Sequence, residues 1–348
     1  MNVLTVMKNN STPSIKALTL PMETELRDLP IVRPIQKNKP FKKEIVDYFK
    51  NNFLTTLIGS IKETFYFIKE CFLTMYKKPS NGFKAIFTHP LLLSIVFMVS
   101  SGFLNALMIP FAQEFQRQWQ RQHANIVLHQ FVLDDVLFGI FPFVDLVAFA
   151  DKYIGFFVVM SAVRFFMTPG RLVVLRRFTF LMGVNFFLRS VCLYFTLLSD
   201  PSRNISDVDG NPLLETFLVA GGIHISTVDK LFSGHTATLT LCGLFLLYYH
   251  ETYPLFSSKK SSLLFGIIFK CLVCLYVCCG LCLFAAVRIH YTVDILVGAL
   301  ISFLGFSLYH TYILLAHTRD NSFNKFLTWF EADATDIPKI IFIQNEED

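Results

Sequence analysis

Residues 288–316 read RIHYTVDILVGALISFLGFSLYHTYILLA. From Ile295 to Ala316 the run carries no Lys, Arg, Asp or Glu. About 20 apolar residues in a helix cross the hydrocarbon core of a bilayer. This stretch therefore reads as a transmembrane helix. Its first residues are of another kind: Arg288, His290 and Asp294 stand where the helix leaves water and enters lipid.

Five further apolar runs can be read outward from it. Residues 85–113 contain no charged side chain and predict a first span. Residues 153–168 predict a second, interrupted by Arg164. A third runs from Phe178 to Leu198 and holds Arg189. A fourth runs from Ser233 to His250, and a fifth from Leu263 to Val287 with Lys270 inside. The run at 295–316 is the sixth. Val136 to Ala150 is apolar but contains Asp145, and it reads as an interfacial or re-entrant piece.

The expected fold is all-α and integral to the membrane, a six-transmembrane-helix bundle. Composition agrees: 53% of the 348 residues are hydrophobic and only 16% charged, against about 25% charged in soluble domains. A net charge of +5 spread over this length shows no dense basic stripe, so a nucleic-acid partner is not expected. Cys271, Cys274, Cys278, Cys279 and Cys282 share one apolar run. They read as buried small hydrophobes and not as a metal or redox site.

Three regions follow: 1–80 as a cytosolic N-terminal region, 81–316 as the catalytic membrane domain, and 317–348 as a cytosolic C-terminal tail. The first forty residues are polar and lack the apolar core of a signal peptide, so the first span is expected to direct insertion. From Phe53 to Tyr76 apolar residues recur at helical spacing between Lys62, Glu63, Lys69 and Glu70. That pattern suits a helix on the membrane surface or a plain cytosolic helix. Lys77, Lys78 and Lys84, then Arg164, Arg171, Arg176 and Arg177, then Lys259 and Lys260 all fall on one side of a six-span chain. The positive-inside rule makes that side the cytosol. The acidic stretch 199–232 is then lumenal or extracellular, with an Asn204-Ile205-Ser206 sequon.

Two short segments carry the chemistry, Asp229-Lys-Leu-Phe-Ser-Gly-His235-Thr and Arg288-Ile-His290-Tyr-Thr-Val-Asp294. Each precedes a span at the same membrane face. His290 and Asp294, four apart, share a helix face. A carboxylate on one imidazole nitrogen sets the tautomer and leaves the other nitrogen nucleophilic. His235 brings a second imidazole suited to proton transfer near neutral pH. Ser233, Gly234 and Thr236 place backbone N–H groups at a helix start, where a phosphate binds readily. The catalytic candidates are His235, His290 and Asp294. Arg189, a charge in mid-span, is either a contact to substrate phosphate or a structural partner of Asp145 or Asp151.

Ser-Gly-His-Thr with Asp229 six residues before the His, followed one hairpin later by His-Tyr-Thr-x-Asp, resembles the sphingomyelin synthase family. That family has a type 2 phosphatidic acid phosphatase core. Arg176-Arg177, Phe187-Leu188-Arg189, Tyr194 and Asp200-Pro201 are similar to its third-helix motif, and Leu133-Asp134-Asp135-Val136-Leu137 is similar too. The resemblance covers roughly residues 85–316 and does not extend to a SAM domain in the N-terminal region. It departs at Thr227-Val228, where the family often has Cys-Gly, and at Arg288-Ile289, where many members have His-Glu.

The resemblance implies transfer of phosphocholine, phosphoethanolamine or phosphoinositol from a glycerophospholipid such as phosphatidylcholine to ceramide, leaving diacylglycerol. His290 would be the nucleophile, Asp294 its support and His235 the acid and base. Asp229, Ser233, Gly234, Arg189 and Tyr291 form the expected substrate-binding set, with no metal and no cofactor. The implied setting is the Golgi or plasma membrane, with the site facing the lumen or exterior, both termini cytosolic and homo-oligomerisation open. A lipid phosphate phosphatase, with water as acceptor, is the first rival. Its Lys-x6-Arg-Pro signature is missing, since the one Arg-Pro is Arg33-Pro34 with Leu26 at the Lys position. A non-catalytic lipid-binding protein is the second, and the intact His235, His290 and Asp294 oppose it.

Overall fold

The computed structural model describes residues 54–77, 89–122, 134–168, 170–196, 214, 216–218, 231–249, 259–315 and 321–331. These form α1 (Leu54–Lys77), α2 (Pro90–Gln122), α3 (Val136–Ile140), α4 (Val147–Phe166) and α5 (Arg171–Phe195), then α6 (Gly234–Tyr248), α7 (Lys259–Ala286), α8 (Thr292–Leu315) and α9 (Ser322–Phe330). No strand occurs among the described residues.

Four helices are long and apolar enough to cross a membrane: Pro90–Phe115, Arg171–Phe195, Leu264–Ala286 and Thr292–Leu315. The other two expected spans are helical but fall short for different reasons. α4 carries Asp151, Lys152 and Arg164 within its 20 residues. α6 has 15 residues, ~22 Å of helix against a core of ~30 Å.

α6 is nevertheless the centre of the bundle, touching α4, α5, α7 and α8. A short, uncharged helix with apolar residues all round suits burial on every side. Leu239, Cys242 and Phe245 are fully buried. The helices outside it present Leu272, Leu275, Leu296, Leu300 and Phe303 outward, as a lipid-facing surface requires. Polar ties hold the layers in register. Tyr153 and Tyr276 stack at 4.1 Å, and each donates its hydroxyl to the other's carbonyl, at 2.7 and 2.8 Å, joining α4 to α7. Asn185 donates to Ser302 at 3.0 Å, and Ser302 donates to the carbonyls of Gly298 and Ala237, joining α5, α8 and α6.

Several boundaries differ from the sequence reading. α4 begins at Val147 and α5 at Arg171, earlier than the apolar runs suggested, because charged residues are accommodated inside the bundle. Arg176 and Arg177 do not lie in a loop. They are buried in α5 at 2% and 3% exposure and pair with Glu331. The cysteines of α7 at 271, 274, 278, 279 and 282 are exposed on its outward face and not buried. In lipid an outward small apolar side chain is as well solvated as an inward one. The segment 136–150 splits into α3, a non-helical stretch over 141–146, and the start of α4. Val136, Ile140, Phe143 and Leu146 in it are exposed.

α1 packs with an inverted polarity. Ser60 and Thr64 face the protein at 5% and 7% exposure, while Ile58, Ile61, Phe65 and Tyr66 point outward. An outward apolar face fits a membrane-lying helix better than a cytosolic one. Glu63 pairs with Arg171 and ties α1 to α5.

α9 folds back onto the bundle. Its C-cap, Glu331, accepts from Arg176 at 2.9 Å, from Arg177 at 2.8 Å and from Tyr309 at 2.5 Å. Arg177 also donates to Tyr249 at 2.8 Å. Nδ1 of His310 lies 2.8 Å from the carbonyl of Phe306, so Nε2, 2.9 Å from the Tyr249 hydroxyl, is the acceptor there. A buried, fully directed polar network of this kind is cheap only when every member is satisfied. The residues at 317–320 and 332–348 of the expected tail lie outside the described residues, as do the sequon and most of 199–230.

Candidate active site

The turn between α7 and α8 carries His290. Arg288 in that turn has φ 56°, a left-handed conformation that non-glycine residues rarely adopt. α8 starts at Thr292, and Asp294 turns its Oδ2 back to accept the N–H of Tyr291 at 2.9 Å. This is the reach-back half of a capping box, which satisfies a donor left over at a helix start. The same Oδ2 lies 3.5 Å from Nδ1 of His290. Asp294 therefore caps the helix start and faces the imidazole. His290 is 3% exposed and Asp294 fully buried.

The second imidazole comes from the start of α6. Ser233 is its N-cap, accepting from the N–H of Thr236 at 3.1 Å. The N–H of Ser233 in turn donates to the carbonyl of Asp294 at 3.3 Å. The two helix starts are thus joined through backbone, and the rings of His235 and His290 lie 5.9 Å apart. Gly298 makes this approach possible. A Cβ there would stand 2.8 Å from the Ser233 carbonyl oxygen, closer than real Cβ contacts come.

His235 has its own carboxylate, with Nε2 3.0 Å from Oδ1 of Asp151. The sequence reading treated Asp151 only as a candidate partner for Arg189. Sequence spacing could not reveal the pairing, because 84 residues separate the two. The available signal was an acidic residue near the start of an apolar helix. Each imidazole thus has one nitrogen facing an aspartate, Nε2 in His235 and Nδ1 in His290. Phe284 packs edge-on to His235 at 5.6 Å.

Arg189 reaches the same corner. Its Nε donates to the carbonyl of Phe232 at 3.0 Å. A Cβ on Gly234 would lie 3.2 Å from the guanidinium carbon. The absence of a side chain at Gly234 lets the guanidinium lie against the first turn of α6, beside its N–H groups. Positive charge and free helix-start donors together favour an anion. Tyr291 is 1% exposed, with its ring 5.7 Å from Phe138. Its N–H donates to Asp294. Asp229 lies outside the described residues. An apolar cavity of ≈ 70 Å³ between α1, α4 and α5, lined by Thr64, Ser161 and Phe165, is at the other end of α4 from Asp151 and takes no part in this site.

Part of the chain, including both imidazoles of this site, matches a known family. Residues 228–311, which contain His235, His290 and Asp294, match the PAP2 superfamily C-terminal family. The chain is 29% identical over 163 residues to mouse sphingomyelin synthase-related protein 1, covering 43% of this chain and 30% of the relative. Both findings support a sphingomyelin synthase/PAP2-like family, as the motif resemblance implied.

Proposed function

We propose that the protein transfers a phospho-headgroup from a glycerophospholipid to the primary hydroxyl of ceramide. Phosphocholine is the leading headgroup, with phosphoethanolamine and phosphoinositol as alternatives. The observation that carries the reading is the pair of His–Asp couples, His290 with Asp294 and His235 with Asp151, with rings 5.9 Å apart. The family match and the relative support a lipid phosphatase or phosphotransferase chemistry.

In the proposed cycle Nε2 of His290 attacks phosphorus, and the bond from phosphorus to the diacylglycerol oxygen breaks. His235 delivers a proton to that oxygen, and diacylglycerol leaves. The phosphohistidine so formed is an imidazolium whose Nδ1 proton faces Asp294. His235, now neutral, takes the proton of the ceramide hydroxyl. The alkoxide attacks phosphorus, the N–P bond breaks and His290 returns to its starting state. Arg189 and the N–H groups at the start of α6 hold the phosphate oxygens, whose charge they match in the transition state. Ser233 and Gly234 shape that corner, and Asp229 contributes to substrate binding or to orienting His235.

On this reading the site faces the lumen of the Golgi or the cell exterior, with six helices crossing the membrane and both termini cytosolic. The test is a matrix of labelled donors with and without ceramide, run on purified full-length protein in nanodiscs. Labelled phosphosphingolipid that requires ceramide supports the proposal. Water-soluble phospho-headgroup released equally with and without ceramide makes water the acceptor, and inorganic phosphate released only from a phosphatidate donor assigns the phosphatase instead.

A further inference from the structure

We propose that Asp135 is a positioning residue for the His290–Asp294 couple, acting through a clamp built by residues 135–144. The inference rests on the catalytic reading above. One carboxylate caps two helices here. Asp135 accepts the N–H of Leu137 at 2.9 Å, capping α3, and the N–H of Thr292 at 2.7 Å, capping α8. It also accepts the hydroxyl of Thr292. Thr292 stands between His290 and Asp294, so this bond fixes the helix start on which both depend.

The rest of the segment grips the same turn from the outside. The ring of Phe138 packs on Tyr291 at 5.7 Å. The Arg288 guanidinium lies over Phe138 at 5.2 Å and over Phe143 at 5.6 Å, and donates to the Phe138 carbonyl at 3.4 Å. The N–H of Val144 donates to the carbonyl of Ala286 at 3.1 Å, where α7 ends. Contacts therefore reach Ala286, Arg288, Tyr291 and Thr292, on both sides of His290. The left-handed backbone at Arg288 is a conformation that persists only when its surroundings hold it. α3 itself has five residues, none of them buried, so it has no core of its own. Leu137 and Phe141 pack against the bundle core, while Phe138 packs on the turn that carries His290.

The chemistry explains the need. His290 must place Nε2 in line with phosphorus while Nδ1 keeps its aspartate. A misplacement of ~1 Å in such a group costs on the order of 10²-fold in rate. The bonds of Asp135 go to Leu137 and Thr292 and not to the imidazole, so its loss would move the couple without removing it.

The experiment compares wild type, Asp135→Ala, Asp135→Asn and Thr292→Val as full-length proteins in nanodiscs, by hydrogen exchange and by steady-state kinetics. In Asp135→Ala, amides over 288–296 should exchange faster, while those over 234–246 keep their rates. Headgroup transfer should lose roughly 10–100-fold in kcat, with the KM for donor lipid nearly unchanged. Asp135→Asn, which keeps an acceptor oxygen, should recover part of that loss. Thr292→Val removes the hydroxyl bond alone and should show a smaller change of the same kind, which keeps the test open should Asp135→Ala fail to insert. Unchanged exchange over 288–296 in the variants that insert overturns the clamp. So does a loss confined to KM. If wild type itself transfers no headgroup, the proposed function fails while the exchange arm still decides whether Asp135 holds the turn.

Discussion

At the scale of single residues, the two imidazoles each face an aspartate but differ in exposure, as the tasks proposed for them require. His290 is buried beside a fully buried Asp294, whereas the side chains of His235 and Asp151 are 33% and 44% exposed. A covalent intermediate needs protection from water, and a proton shuttle needs access to it. His290→Ala should therefore abolish headgroup transfer and donor hydrolysis together. His235→Ala and Asp151→Asn should slow turnover by ~10²–10⁴-fold and by less, respectively, while slow labelling of His290 survives. Donor lipid radiolabelled at phosphorus checks this: an acid-labile, base-stable adduct is expected in wild type and absent in His290→Ala. An adduct retained in His290→Ala would reverse the roles. Arg189→Lys should lose most activity while the protein still inserts. An ammonium reproduces neither the bidentate fork nor the Nε–H bond to Phe232. Near-normal turnover in Arg189→Lys would make Arg189 structural.

At the scale of elements, two contacts decide whether the helices meet in the right place. Gly298 sits where α8 crosses the start of α6. Gly298→Val should force the helices apart against the Ser233 carbonyl and reduce kcat by tenfold or more, since it separates the residues that couple the two sites. Gly305, two turns further along α8 with nothing within 4 Å of an added Cβ, is the control. Gly305→Ala should leave kcat intact and raise stability by ~0.5–1 kcal/mol.

The other contact is the α9 latch. Burial works to raise the Glu331 carboxyl, but Arg177 first and then Arg176 outweigh it, and the group titrates below its usual range. A depressed carboxylate contributes stability above its unfolded pKa and loses it as pH falls through the folded one. The latch should therefore hold at neutral pH and release only well into the acid range. Glu331→Gln strips the charge from a buried pair and should cost ~3–5 kcal/mol. Thermal unfolding in detergent and protease cutting near 317–321 would read it, and an unchanged Tm at pH 7 would show the latch to be idle.

At the scale of the whole molecule, the open question is sidedness. The loop charges place 199–232 opposite 251–258 when six helices cross the bilayer. Ser202→Cys and Ser258→Cys should then react with an impermeant thiol reagent from opposite faces of sealed vesicles. Labelling of both from the same face would mean that α6, the one described helix between the two positions, does not cross. Among the described residues four helices meet the length and apolarity of a span unaided, and the charged α4 and short α6 do not. Their place in the bundle rests on packing around Phe245 and on the Tyr153–Tyr276 exchange of hydrogen bonds.

The sequence by itself determined the membrane setting, the helical class and the pairing of His290 with Asp294. Each depends on local pattern: an uninterrupted apolar run, or a spacing of four on one helix face. It also singled out Gly234 and Arg189 by motif and by the cost of a charge in a span. Only the tertiary structure decided which carboxylate serves His235, because Asp151 arrives from another helix and no periodicity encodes that meeting. The same holds for Asp135 on Thr292, 157 residues away, and for Arg176 and Arg177, which read as loop charges and are buried on Glu331. Long-range polar partners are chosen by where helices cross, and crossings are set by small residues such as Gly298 whose significance appears only when a neighbour's backbone lies against them.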